Sequence, residues 1–232
     1  MGIQERKERE KTERKALILR CARELVRERG SEAVSMTDIA RMAELSKATL
    51  YLYFESKDEL FRVLCRDLAD QYMDYYRSRL RPESNALECV MLLWESYLDL
   101  YAKSDDLFVL FSMRRYLFPV PPCLPAGEAA PMQGILDTVQ GIIEQGIGEG
   151  VFEEDVRPAL IAHTIVSLFS LVMENTADAG GEGMMDDLKF IFQVILRGIT
   201  KTGLNCMLPE LSFTEPATGG AEHDGAAHGG GL

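Results

Sequence analysis

The stretch Ser35–Lys57, S-M-T-D-I-A-R-M-A-E-L-S-K-A-T-L-Y-L-Y-F-E-S-K, constrains the fold more than any other part of the chain. It packs three helix starts into a very short span. Ser35 with Asp38 three positions on reads as an N-cap with a carboxylate over the first turn. Ile39, Ala40 and Ala43 give that helix an apolar face. Ser46 opens a second helix, expected over Lys47–Tyr53, and Ser56 with Glu59 forms a capping box that opens a third. Two helices joined so tightly are a helix-turn-helix unit, whose second helix fits the major groove of DNA. The outward residues of that helix, Lys47, Thr49, Tyr51 and Tyr53, are hydrogen-bond donors.

A DNA-binding reading has to survive a net charge of −12. Residues 1–60 hold 13 Lys and Arg against 12 Asp and Glu, whereas residues 61–232 hold 12 against 25. The acidity therefore lies outside the reading head, where it repels phosphate and leaves the head as the only DNA-facing surface. The N-terminus lacks the apolar run of a signal peptide, and no segment has the length of a membrane span. The five cysteines (Cys21, Cys65, Cys89, Cys123, Cys206) are scattered without a C-x-x-C pair, which suits reduced thiols in a cytoplasm and argues against structural zinc. No metal, cofactor or membrane partner is expected, and the expected location is cytoplasmic.

In chain order, residues 1–15 form a charged extension, read either as a solvated helical lead-in or as an arm touching phosphate or the minor groove. Leu17 or Ile18, with Cys21, Ala22, Leu25 and Val26, then lines one face of a first helix that Gly30 ends. The helix from Lys57 to about Leu80 turns Leu60, Phe61, Leu64, Leu68, Tyr72 and Tyr75 inward and stops before Pro82. Further helices are expected over about Asn85–Lys103, Asp105–Tyr116 and Pro131–Glu149, with a Pro-rich loop from Phe118 between the last two. The last two helices, about Val156–Ala177 and Met184–Lys201, are apolar nearly all round, so one face of each suits the core and another a second subunit. No strand alternation is present, and the expected class is all-α. The expected division is 16–56 for DNA binding, 57–203 for ligand binding and dimerisation, and 204–232 as a disordered Pro/Gly/Ala/His tail.

The runs I-L-x-C-A-x-x-L-V-x-x-x-G, S-M-T-D-I-A-x-x-A and L-S-K-A-T-L-Y-L-Y-F-E-S-K-D-E-L, spanning about residues 18–60, resemble the TetR family of bacterial transcriptional repressors. The resemblance implies an N-terminal three-helix DNA-binding domain, a larger helical effector domain, and a homodimer held by a four-helix bundle of the last two helices. Glu44 and Leu45 stand where the family usually has Gly and Val, and Ala48 replaces a frequent Gly. A left-handed Glu44 would carry about 1 kcal/mol of strain.

Chemistry and resemblance together assign the DNA-binding residues. Thr37, Thr49, Tyr51 and Lys57 suit phosphate oxygens; Lys47 suits guanine and Ala48 a thymine methyl; Tyr53 suits either task. For the effector, Trp94, Tyr97, Tyr101, Phe108, Phe111 and Tyr116 offer an aromatic lining, with Met113, Phe118, Met132 and Phe169 beside them. His163, Ser167 and Ser170 follow one helical face, as the polar side of a pocket or as an interfacial cluster. No catalytic residue is assigned: His163 is the only histidine before the tail, and Gly146-Ile-Gly148-Glu-Gly150 follows a helix rather than a strand. The expected function is a dimeric repressor released from a palindromic operator by a small, largely apolar or aromatic ligand. Its rivals are an effector-independent structural DNA-binding protein and a redox sensor at Cys89 or Cys123.

Overall fold

The computed structural model describes residues 2–103, 109–110, 113–117, 130–177 and 184–201, without the side chains at 3, 101–103, 114, 168–177 and 184–185. The tail from 204, the Pro-rich loop, Phe108 and Phe111, and the side chains of Tyr101, Phe169 and Ser170 thus lie outside what is described. The described residues form helices α1 (Ile3–Ala33), α2 (Met36–Met42), α3 (Lys47–Tyr51), α4 (Lys57–Arg79) and α5 (Ala86–Lys103). The short α6 (Arg114–Leu117) and the longer α7 (Gln133–Gly148), α8 (Pro158–Ala177) and α9 (Met184–Ile199) follow. The all-α class holds: among the described residues the only extended pairing is one isolated antiparallel bridge, Phe152 with Thr200. No helix there is long and apolar enough to cross a membrane.

α4 is the centre of the packing, touching α1, α5, α6 and α7, while α7 and α9 both pack on α8. Its inward stripe of Leu60, Phe61, Leu64, Leu68 and Tyr72 is buried as the spacing requires. Burying each such side chain contributes about 1.5–3 kcal/mol. Tyr75 is only half-buried, and its hydroxyl donates to Asp99 at 3.0 Å. Arg79 reaches the same carboxylate at 2.9 Å and Glu95 at 3.2 Å, which fixes α4 against α5. Asn85 caps α5 by accepting from the Glu88 N–H at 2.9 Å.

The glycine-rich end of α7 is a structural stop and not a nucleotide loop. Gly150 has φ 73°, the Val151 N–H donates to the Gly146 carbonyl at 2.9 Å, and the Gly150 N–H donates to that of Ile147 at 3.0 Å. Those two bonds make a Schellman motif.

Two helix limits differ from the sequence expectation. α1 extends back to Ile3, so the charged extension is helix, exposed from Gln4 to Ala16. Helical geometry breaks at Gly30 (φ 73°, ψ 157°), as expected, but one more turn follows it. α3 stops at Tyr51 rather than Tyr53, because Leu52 and Tyr53 close a tight turn onto Thr49 and Leu50.

Candidate DNA-binding surface

α2 is held by a reciprocal box. The Asp38 N–H donates to Ser35 Oγ at 3.2 Å, and the Ser35 N–H donates back to Asp38 Oδ2 at 3.1 Å. Donation from the Ser35 hydroxyl, then from its N–H, keeps the half-buried Asp38 carboxyl below the usual range. The following turn is closed by the Leu45 N–H donating to the Ala40 carbonyl at 2.9 Å, with Glu44 at φ 55°. Glu44 therefore occupies the left-handed conformation that a glycine would accept without strain.

Ser46 caps α3, accepting from the Thr49 N–H at 3.0 Å, and its Oγ lies 2.7 Å from Thr49 Oγ1. With Ser46 as donor in that hydroxyl pair, the Thr49 O–H is left available as a donor. Leu50 and Phe54 are buried and fasten α3 to the domain. The start of α4 differs from the expected box: Ser56 Oγ accepts from the Glu59 N–H at 3.1 Å, but the Glu59 carboxylate takes the Glu55 N–H instead of the Ser56 N–H.

On this frame Thr37, Lys47, Ala48 and Tyr51 are exposed, while Thr49, Tyr53 and Lys57 are half-buried. Tyr53 sits in the turn after α3 and not on the helix. Lys47 Nζ lies 6.0 Å from the centre of the Tyr51 ring, and Lys57 Nζ lies 5.3 Å from that of Phe61 while donating to the Glu32 carbonyl at 3.4 Å. Two residues of this surface went unassigned in the sequence. Leu52 is 82% exposed, an apolar side chain set between Tyr51 and Tyr53. Lys15, from the charged extension, places Nζ 5.5 Å from the centre of the Phe54 ring. The 82% exposure of Leu52 follows from the early end of α3.

The described residues among those expected to line an effector site divide into separate places. Trp94 and Tyr97 are buried on α5, and the Trp94 ring stacks on Tyr97 at 6.0 Å and on Phe192 of α9 at 4.7 Å. Phe192 was not singled out, because nothing local marks which side of an apolar helix meets a distant tryptophan. Tyr116 is buried against Phe61 of α4, edge to face at 5.2 Å, beneath the reading head. Burial pushes its hydroxyl up to about 12. His163 is exposed, as is Leu160 on the same helix, and Ser167 is half-buried. Arg115 lies 3.5 Å from Glu32 and 3.8 Å from Asp58, so α6 meets both the end of α1 and the start of α4.

Comparison with known proteins gives this geometry a lineage. Residues 18–64 match the family of bacterial regulatory proteins called the tetR family. The fatty acid metabolism regulator protein of Bacillus subtilis is 24% identical over 144 residues, 61% of this chain and 73% of that one. The transcriptional repressor KstR2 of Mycobacterium tuberculosis is 25% identical over 191 residues, 82% of this chain and 95% of that one. The structure of FadR from Bacillus subtilis in complex with stearoyl-CoA superposes with a TM-score of 0.61 at 19% identity, over 79% of this chain and 98% of that one. These relatives are regulators and not enzymes, and their shared head is the three-helix unit built above. In residues 18–64 this chain carries the head of the tetR family of bacterial regulatory proteins, and along most of its length it is similar to TetR-like transcriptional regulators.

Proposed function

We propose that this regulator is a cytoplasmic homodimeric repressor that holds a palindromic operator and lets go when a small, largely apolar ligand binds. The observation that carries the reading is the capped α3, with Lys47, Ala48 and Tyr51 exposed side by side. Lys47 donates to guanine and Ala48 meets a thymine methyl, while Thr37, Thr49, Tyr51 and Lys57 take phosphates and Tyr53 either. Residues 16–56 act as the reading head and 57–203 as the control and dimerisation part.

Dimerisation draws support from the outer faces of the last two helices. Leu160 is 50% exposed, Phe190 67% and Val194 52%, apolar area that a second copy would remove from water. Two heads so joined would enter major grooves about one helical turn apart, roughly 34–36 Å. The apolar ligand class draws support from the aromatic residues of α5 and from the relative bound to stearoyl-CoA. Release then needs the ligand to favour a splayed pair of heads by a few kcal/mol.

The test is selection of binding sites from random duplex DNA, with the mass of the complex measured in solution. Inverted repeats bound by two copies are expected; recovered sites without twofold symmetry would overturn the reading. Long-chain acyl thioesters are the first ligands to titrate against the operator complex.

The stack of Trp94 on Phe192 at 4.7 Å favours a second reading, in which the aromatic cluster is ordinary core and no effector exists. Operator affinity indifferent to every apolar ligand would select it. The redox reading loses ground: Cys89 is buried, and burial raises its thiol above the usual range, away from the reactive thiolate. Cys123 lies outside the described residues.

A further inference from the structure

The helical extension of α1 sorts its charges. Arg6 pairs with Glu10 at 3.0 Å and Arg9 with Glu13 at 3.6 Å, both i,i+4 pairs. At 100° per residue, Lys7, Lys11, Arg14 and Lys15 all fall within about 60° of Ile18 on the helical wheel. Ile18 is fully buried, so this is the side of α1 that faces the DNA-binding domain. Among the described residues none of Lys7, Lys11 and Arg14 is engaged by a carboxylate. The paired cations Arg6 and Arg9 lie on the opposite side, and Glu8 and Glu10 border the stripe. Lys15, nearest the domain, sits over Phe54, three residues past the end of α3. The unpaired stripe therefore begins beside the reading helix and runs outward for about 12 Å at 1.5 Å per residue.

We infer that this face of the extension is a second DNA-binding element, which lies along the phosphate backbone next to the half-site read by α3. The inference rests on the DNA-binding reading of the head and adds a surface to it. A helix exposed from Gln4 to Ala16 has no packing to hold it, and a merely solvated helix has no reason to keep its unpaired cations on one side. In a chain of net charge −12, a row of uncompensated cations beside the reading helix is complementary to one kind of surface, a polyanion. DNA presents phosphates about every 3.4 Å of axis on each strand, so the stripe spans about three of them. Such contacts carry no base information; they fix the head's register on the duplex.

The test uses the full chain with Lys7→Gln, Lys11→Gln and Arg14→Gln combined, which keeps helix propensity, and Arg6→Gln with Arg9→Gln as the control. Affinity for the selected operator is measured against salt concentration. The triple variant is expected to lower the slope of log affinity against log salt by about two to three, at roughly 0.9 per phosphate contact, with sequence preference unchanged. The control is expected to leave the slope where it is. Trimming the DNA flank next to the half-site should erase the difference between the wild type and the triple variant. Equal slopes for wild type and triple variant on a long duplex, with circular dichroism confirming intact helix, would overturn the inference and leave the head's role standing. A wild type without sequence-specific binding would remove both.

Discussion

Lys57 Nζ donates to the backbone carbonyl of Glu32 at 3.4 Å and lies 5.3 Å from the centre of the Phe61 ring. The first residue of α4 is thereby tied to the end of α1. The bond is long and the side chain half-buried, so little stability depends on it. Its placement matters more: a positioned cation at the edge of the reading head suits a phosphate. Lys57→Ala is expected to weaken binding to all sequences alike and to lower the salt slope by about one, with folding stability changed by less than about 1 kcal/mol. Titrations of operator and random duplex at several salt concentrations check this, and an unchanged slope removes Lys57 from the contact surface.

Glu44, at φ 55° in the turn between α2 and α3, combines two separable liabilities. Its backbone is strained by about 1 kcal/mol, and its carboxylate is exposed in the turn just before the proposed reading helix, where it would repel phosphate. Glu44→Gly relieves both but adds roughly 0.5–1 kcal/mol of unfolded-state entropy, so its stability should stay within about 1 kcal/mol of the wild type. Glu44→Gln removes the charge alone. Equal tightening of DNA binding by both variants, fading at high salt, is expected if the charge dominates; tightening by the glycine variant alone would assign the effect to the backbone.

Gly146 packs so close to Phe152 that an added Cβ would stand 2.1 Å from one ring carbon and 2.3 Å from another. Phe152 has no room to yield, being fully buried with its N–H bonded to the Gly146 carbonyl at 3.0 Å and the next N–H bonded to that of Ile199 at 2.8 Å. Gly146→Ala should therefore destabilise by about 1–3 kcal/mol. Gly141→Ala, on the same helix with open space around it, should stabilise by up to about 1 kcal/mol from helix propensity. Urea midpoints of the two variants moving in opposite directions check the contrast; a shared direction would mean that propensity, and not the ring, decides.

How far each of these features was readable depends on the distance over which it is determined. The Ser35 and Ser46 caps and the break at Gly30 are set within four or five residues, and the sequence carries them; the left-handed Glu44 has no signal of its own and was open only through the family resemblance. The end of α3 is different. No Gly or Pro marks it, and the chain turns at Leu52 because Leu50 and Phe54 must both reach the core. Partners far apart in sequence were not readable either: neither the stack of Trp94 on Phe192 nor the seat of Tyr116 on Phe61 has a local signal. Of the aromatic residues read as one lining, the described ones therefore fall into two places, Trp94 and Tyr97 between α5 and α9 and Tyr116 against Phe61 of α4.

That second place gives the last prediction. Arg115 reaches Glu32 at 3.5 Å and Asp58 at 3.8 Å, and its guanidinium lies 5.0 Å from the centre of the Tyr116 ring. Tyr116 in turn abuts Phe61, four residues after Lys57. A shift of α6 is thus felt at the end of α1 and the first turn of α4 together, the two segments that Lys57 also joins. Because Arg115 is well exposed, its ion pairs contribute only about 0–1 kcal/mol to folding, and Arg115→Ala should leave the unfolding midpoint nearly unchanged. Its expected effect is on the head: faster hydrogen exchange at the end of α1 and in the first turn of α4, and weaker operator binding. A double-mutant cycle with Glu32→Ala checks the route. Coupling of at least 0.5 kcal/mol in operator affinity is expected for side chains in direct contact, roughly the lower bound for such pairs. Strictly additive effects, with unchanged exchange in both segments, would show that α6 and the head move independently.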